Sequence, residues 1–125
     1  MRVGAISRST PSRQESSETA GFIFLRGATA SGENGEIVCP GDICGQTDYI
    51  LDRMGEILEA ADCSYEDVVK TTDFITTTNG YQGTGAVRKK YFKEPYPAAT
   101  GVIVADLLRP GALIEIEAIA RIPEK

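Results

Sequence analysis

Ile114-Glu115-Ile116-Glu117-Ala118-Ile119-Ala120-Arg121 decides the fold, because the character of its side chains alternates with a period of two. Successive side chains of a strand point to opposite faces, so Ile114, Ile116, Ala118 and Ala120 share one face and Glu115, Glu117 and Arg121 the other. One face is core and one is polar. This is the pattern of an antiparallel or mixed sheet whose helices cover one side only. Leu113, Ile119 and several small residues still leave the other side too apolar to be comfortably solvated, and self-association through it is the expected remedy.

Working back from this strand, Arg109-Pro110-Gly111 is a turn, and Ala98 to Leu107 reads as the strand that feeds it. Pro95 and Pro97 stop the preceding segment, Gly80 to Lys93, whose weak helical pattern is interrupted by Gly83 and Gly85; a second helix is expected to begin late in it. Val68 to Thr77 is rich in β-branched residues and reads as a strand. Before it, Ile43, Ile50, Met54, Ile57, Leu58 and Ala61 fall on one helical stripe behind Asp42, a good N-cap, and predict a long helix through residue 61. Asn34-Gly35 sits in turn chemistry over residues 31–36 and leads to Ile37-Val38-Cys39-Pro40. Gly21 to Gly27 is a buried-strand pattern, with Arg26 as its anomaly, and residues 7–19 read as an irregular or partly extended lead-in. The fold class is mixed α/β (α+β), in one domain over residues 1–125.

The totals restrict the function. The 125 residues suit a single core, and no apolar run approaches the ~20 residues that span a bilayer. The N-terminus lacks the apolar segment of a signal peptide, so a cytoplasmic location is expected. A formal charge of −5 disfavours a phosphate backbone, and Arg88-Lys89-Lys90 reads as the wet face of a helix, so no nucleic-acid partner is expected. There is no histidine, and Cys39, Cys44 and Cys63 are unevenly spaced; neither a disulfide framework nor a metal site is expected. Cys39 and Cys44 flank a helix start, where a thiolate would be stabilised, although small buried thiols are commoner. Without an imidazole, catalysis falls to carboxylates, arginine, backbone groups or water.

Tyr96-Pro97-Ala98-Ala99-Thr100-Gly101-Val102, followed by Ile114-Glu115-Ile116-Glu117-Ala118-Ile119-Ala120, resembles the C-terminal signature of the RidA/YjgF family. Gly41-Asp42 with Gln46, the run Glu66 to Thr72, and Tyr91-Phe92 resemble it in the same order and spacing. The resemblance covers about residues 20 to 122. It implies a chorismate-mutase-like fold, a homotrimer whose sheets form a central barrel, and small-molecule clefts between subunits. It also implies cofactor-free hydrolysis of enamines or imines, such as 2-aminoacrylate, to a carbonyl product and ammonia. An imine is already electrophilic, so water addition needs orientation, a carboxylate clamp and a group that manages protons.

The sequence departs from the active pattern of that family where the substrate is bound. The family has Pro-Ala-Arg-Ser-Cys, and here the stretch is Pro97-Ala98-Ala99-Thr100-Gly101, so the bidentate arginine is lost at Ala99 and the cysteine at Gly101. Gly85 falls where an asparagine often lines the cleft. A wider pocket and a substrate larger than 2-aminoacrylate follow as expectations. Arg26 stands where the family has a small hydroxyl residue, and the reading is that it supplies the anion clamp from another strand; the alternative is a structural pair with Glu115, Glu117 or a neighbouring subunit. Glu117 matches the cleft glutamate and is the candidate catalytic residue, or else part of an ion pair. Thr100 is a candidate hydrogen-bond donor, and Phe92 a core or cleft-wall residue. The rival functional reading is a non-catalytic, ligand-binding or chaperone-like trimer.

Overall fold

The computed structural model describes residues 6–9 and 21–123. Five strands, Ile6–Ser9 (β1), Phe22–Ala28 (β2), Val68–Ile75 (β3), Ala98–Ile103 (β4) and Ile114–Arg121 (β5), form one sheet in the order β1-β2-β5-β3-β4. Only β3 and β4 run parallel. Parallel neighbours need a long crossover, and the segment between them provides it, carrying a 3-10 turn at Tyr81–Gly83 and a short helix at Thr84–Arg88 (α2).

The long helix, Ile43–Ala60 (α1), begins where the capping chemistry predicts. Asp42 Oδ1 accepts a hydrogen bond from the backbone N–H of Gly45 at 2.9 Å, satisfying one of the orphan donors of the first turn. Its stripe of Ile43, Ile50, Leu51, Met54 and Leu58 is buried against Ile23, Leu25, Ile114, Ile116, Ala118 and Ala120 of β2 and β5. The alternation of β5 is therefore realised as read, with Ile114, Ile116, Ala118 and Ala120 inward and Glu117 and Arg121 exposed. Gln46, fully buried in α1, donates to the carbonyls of Cys39 and Gly111 and accepts from the N–H of Leu113 at 2.9 Å. It thereby ties the helix start to the turn that delivers β5.

Several boundaries differ from expectation. The segment Gly80 to Lys93 yields only five residues of α2, because glycines at 83 and 85 weaken each turn that would extend it. β4 ends at Ile103 rather than Leu107, and β3 at Ile75 rather than Thr77. The run Ile37 to Pro40 contributes a single bridge, Ser31 to Ile37, before positive backbone φ at Cys39 and Gly41 turns the chain toward α1. In the lead-in, Ile6–Ser9 pairs with β2, and residues 10–20 lie outside the described residues. No helix among the described residues is long and apolar enough to cross a membrane.

Candidate functional site

Side-chain parity divides the sheet into two surfaces. Glu117 on β5 is paired with Thr72 on β3, and Thr72 with Thr100 on β4. These residues lie in one row across the helix-free face. Arg26, on β2 beside β5, projects to the same face and is exposed. Arg26 and Glu117 line one cavity of about 280 Å³, with Phe24 and Ile119 as its apolar walls. Arg26 also lines an adjoining cleft of about 520 Å³ with Thr29, Arg109 and Glu115. Gly27 stands between them, where a Cβ would push the Glu115 carboxylate aside.

Arg26 forms no ion pair among the described residues. The expectation that so apolar a strand would bury it is corrected: it stands on the alternating outward positions with Phe22 and Phe24 and keeps its water. Thr100 is tied down, since its Oγ1 accepts from Lys70 Nζ at 2.8 Å.

The opposite surface carries the other candidates. Gly85, Phe92 and Ala99 line a pocket of about 200 Å³ with Thr71, Arg88 and Tyr96 on the helix side of the β3–β4 edge. Gly85 faces open space, with no atom within 4 Å of where a Cβ would stand. Phe92 is 5% exposed and meets the Tyr65 ring edge-on at 5.7 Å, so it is core first and pocket wall second. At Gly101 the Tyr81 hydroxyl lies 2.7 Å from where a Cβ would sit.

Tyr81 belongs to a cluster that the sequence did not single out. Its hydroxyl donates to Asp73 Oδ2 at 2.6 Å, and Arg88 Nη2 pairs with the same oxygen. Asp73 is 2% exposed and lies opposite Gly101 in the β3–β4 register. Burial, with the hydrogen bond and charge of Asp73, pushes the Tyr81 phenol up to about 12. Arg88 is thus drawn inward and Lys90 pairs with Asp48 at 2.6 Å, so the basic trio is not simply the wet face of a helix. The available sign was Asp73 itself, an acid at an inward position between Thr71 and Ile75. Cys39 is exposed and Cys44 half-buried, against the expectation of two buried thiols.

The Endoribonuclease L-PSP family model matches residues 8–122. The chain belongs to this family, the RidA/YjgF family. It is 35% identical over 98 residues to human 2-iminobutanoate/2-iminopropanoate deaminase, covering 78% of this chain and 71% of the relative. It superposes on RidA from an Antarctic Psychrobacter with a TM-score of 0.73 at 29% identity, covering 81% of this chain and 80% of that one. It superposes on E. coli TdcF with bound serine with a TM-score of 0.69 at 35% identity, covering 79% of each chain. The Tyr81–Asp73–Arg88 cluster stands beside Gly101, which pairs with Asp73 across β3 and β4.

Proposed function

We propose that this RidA-family protein is a cofactor-independent hydrolase of a reactive enamine or imine acid. The observation that carries the reading is that Arg26, free of any ion pair among the described residues, and Glu117 line one cavity. The name of the human relative, an imine deaminase, and the serine held by TdcF support a small amino-acid-derived ligand.

In this reading the Arg26 guanidinium pairs with the substrate carboxylate. The Glu117 carboxylate accepts a proton from water as the oxygen bonds to the carbon of the protonated imine, forming a carbinolamine. It returns that proton to the nitrogen, takes up the hydroxyl proton as the C–N bond breaks, and passes it to solvent as ammonia leaves a carbonyl product. An enamine enters the same route after proton transfer to its β-carbon.

Arg26, Thr100 and Glu117 lie on one surface of the sheet and Gly85, Phe92 and Ala99 on the other, so one subunit does not bring the two sets together. A homotrimer would seat the Gly85–Phe92–Ala99 edge of one copy against the Arg26–Glu117 face of the next, burying the apolar residues there. Open space at Gly85 supports a substrate larger than 2-aminoacrylate. The charge of −5 argues against a nucleic-acid substrate and fits a cytoplasmic enzyme acting on small molecules.

The test is ammonia and keto-acid release from freshly generated 2-imino acids and larger conjugated enamines, above the spontaneous rate. Glu117→Gln is expected to lower kcat by about 10²- to 10⁴-fold, and Arg26→Gln to raise KM. No acceleration by the parent on any of these substrates would replace the hydrolase with a ligand-binding protein.

A further inference from the structure

Gly101 is exposed at the sheet edge, and, its chain neighbours aside, the three atoms nearest to a Cβ placed there all belong to Tyr81, its hydroxyl first. The missing side chain at 101 therefore opens β4 to one polar atom. The state of that atom follows from its partners. A phenol has one proton and two lone pairs. Its proton is committed to Asp73 Oδ2, which also accepts from the Arg88 guanidinium. The other oxygen, Asp73 Oδ1, is buried with no hydrogen-bond partner among the described residues, so the cluster holds an unspent acceptor but no proton to lend. Toward Gly101, Tyr81 can therefore only accept a hydrogen bond.

We propose that Tyr81 is a ligand-contacting, specificity-determining residue of the cleft, that its hydroxyl accepts a hydrogen bond from the nitrogen of a bound amino, imino or enamino acid, and that Asp73 and Arg88 are its positioning residues. The inference rests on the reading of Gly101 as a cleft wall. An N–H satisfies the Tyr81 lone pair. A carbonyl oxygen in the same place would oppose lone pair to lone pair, so the contact favours the nitrogen-bearing substrate and weakens the hold on the keto product as ammonia departs. The buried pair with Asp73 fixes the ring, and discrimination of this kind needs a hydroxyl that cannot rotate its proton toward the ligand.

The experiment compares binding of two unreactive probes, 2-aminobutanoate and 2-oxobutanoate, by NMR titration near neutral pH. Tyr81→Phe keeps the ring and leaves Asp73 its arginine; it is expected to weaken 2-aminobutanoate by about tenfold or more and to leave 2-oxobutanoate within about twofold. Gly101→Ala, which forces the hydroxyl aside, is expected to shift the ratio the same way. Equal losses for both probes, an unchanged ratio, or a parent that binds neither at millimolar concentration would overturn the proposal. The readout is independent of turnover. A shifted ratio in a protein that accelerates no hydrolysis would leave Tyr81 standing and remove the hydrolase, whereas Glu117-dependent turnover with an unmoved ratio would do the reverse.

Discussion

Asp73 and Tyr81 share a hydrogen bond that exists only while the phenol is protonated. The Tyr81 pKa is about 12 in the folded chain against an ordinary 10.0, so the neutral form is favoured by folding. This contribution is complete below about pH 10, the unfolded value, and is lost as pH rises through the folded value. Stability should therefore fall between about pH 10 and pH 12. Chemical denaturation across that range should show a shallower decline for Tyr81→Phe than for the parent, and parallel curves would refute the assignment. The cluster itself was hard to read from sequence. Arg88 looks like one of three consecutive basic residues, and only the inward parity of Asp73, fifteen positions earlier, draws it in. The resemblance drew attention to Ala99 and Gly101 but carried no sign of Tyr81 beside the glycine.

At the scale of elements, α1 and β5 were legible because each is long, strongly periodic and bounded by capping or turn residues. α2 was overextended because a weak helical pattern does not show how much glycines at 83 and 85 cost. Another glycine, Gly55 within α1, shows the reverse. Replacing a mid-helix glycine by alanine ordinarily gains up to about 1 kcal/mol. Here a Cβ would strike the Tyr65 hydroxyl, which donates to the buried Leu51 carbonyl at 2.5 Å and whose ring packs on Tyr91 and Phe92. Gly55→Ala is expected to destabilise the chain by about 1–3 kcal/mol. Pairing it with Tyr65→Phe, which removes the obstructing oxygen, should recover part of that loss in a thermal double-mutant cycle.

Among the described residues, the molecule presents a sheet with one side covered by helices and the other by little of the chain. Phe22 and Phe24 are 39% and 42% exposed on that side, with Val102 at 39%. Such an apolar surface suits contact with further copies of the chain. Phe24→Glu should leave the α1-packed core intact yet yield particles of monomer mass by light scattering, with loss of any turnover that needs both halves of the cleft. A parent protein that is itself monomeric would contradict the proposed assembly. The sequence made this surface visible through Leu113 and Ile119, although Leu113 is used by Gln46 at the turn before β5, and phenylalanines of β2 supply much of the apolar area instead.

The place of β5 bears on how the protein is made. It is the last of the five strands in chain order, yet it lies in the middle of the sheet, between β2 and β3. On the ribosome, β2 and β3 emerge long before the strand that joins them, and each offers a bare hydrogen-bonding edge until then. α1 can form at once from local contacts, but its apolar stripe has only half of its sheet to lie on. The two halves of the sheet can therefore be joined only once Ile114 to Arg121 is available, making the most informative segment for reading the fold also the one that completes it.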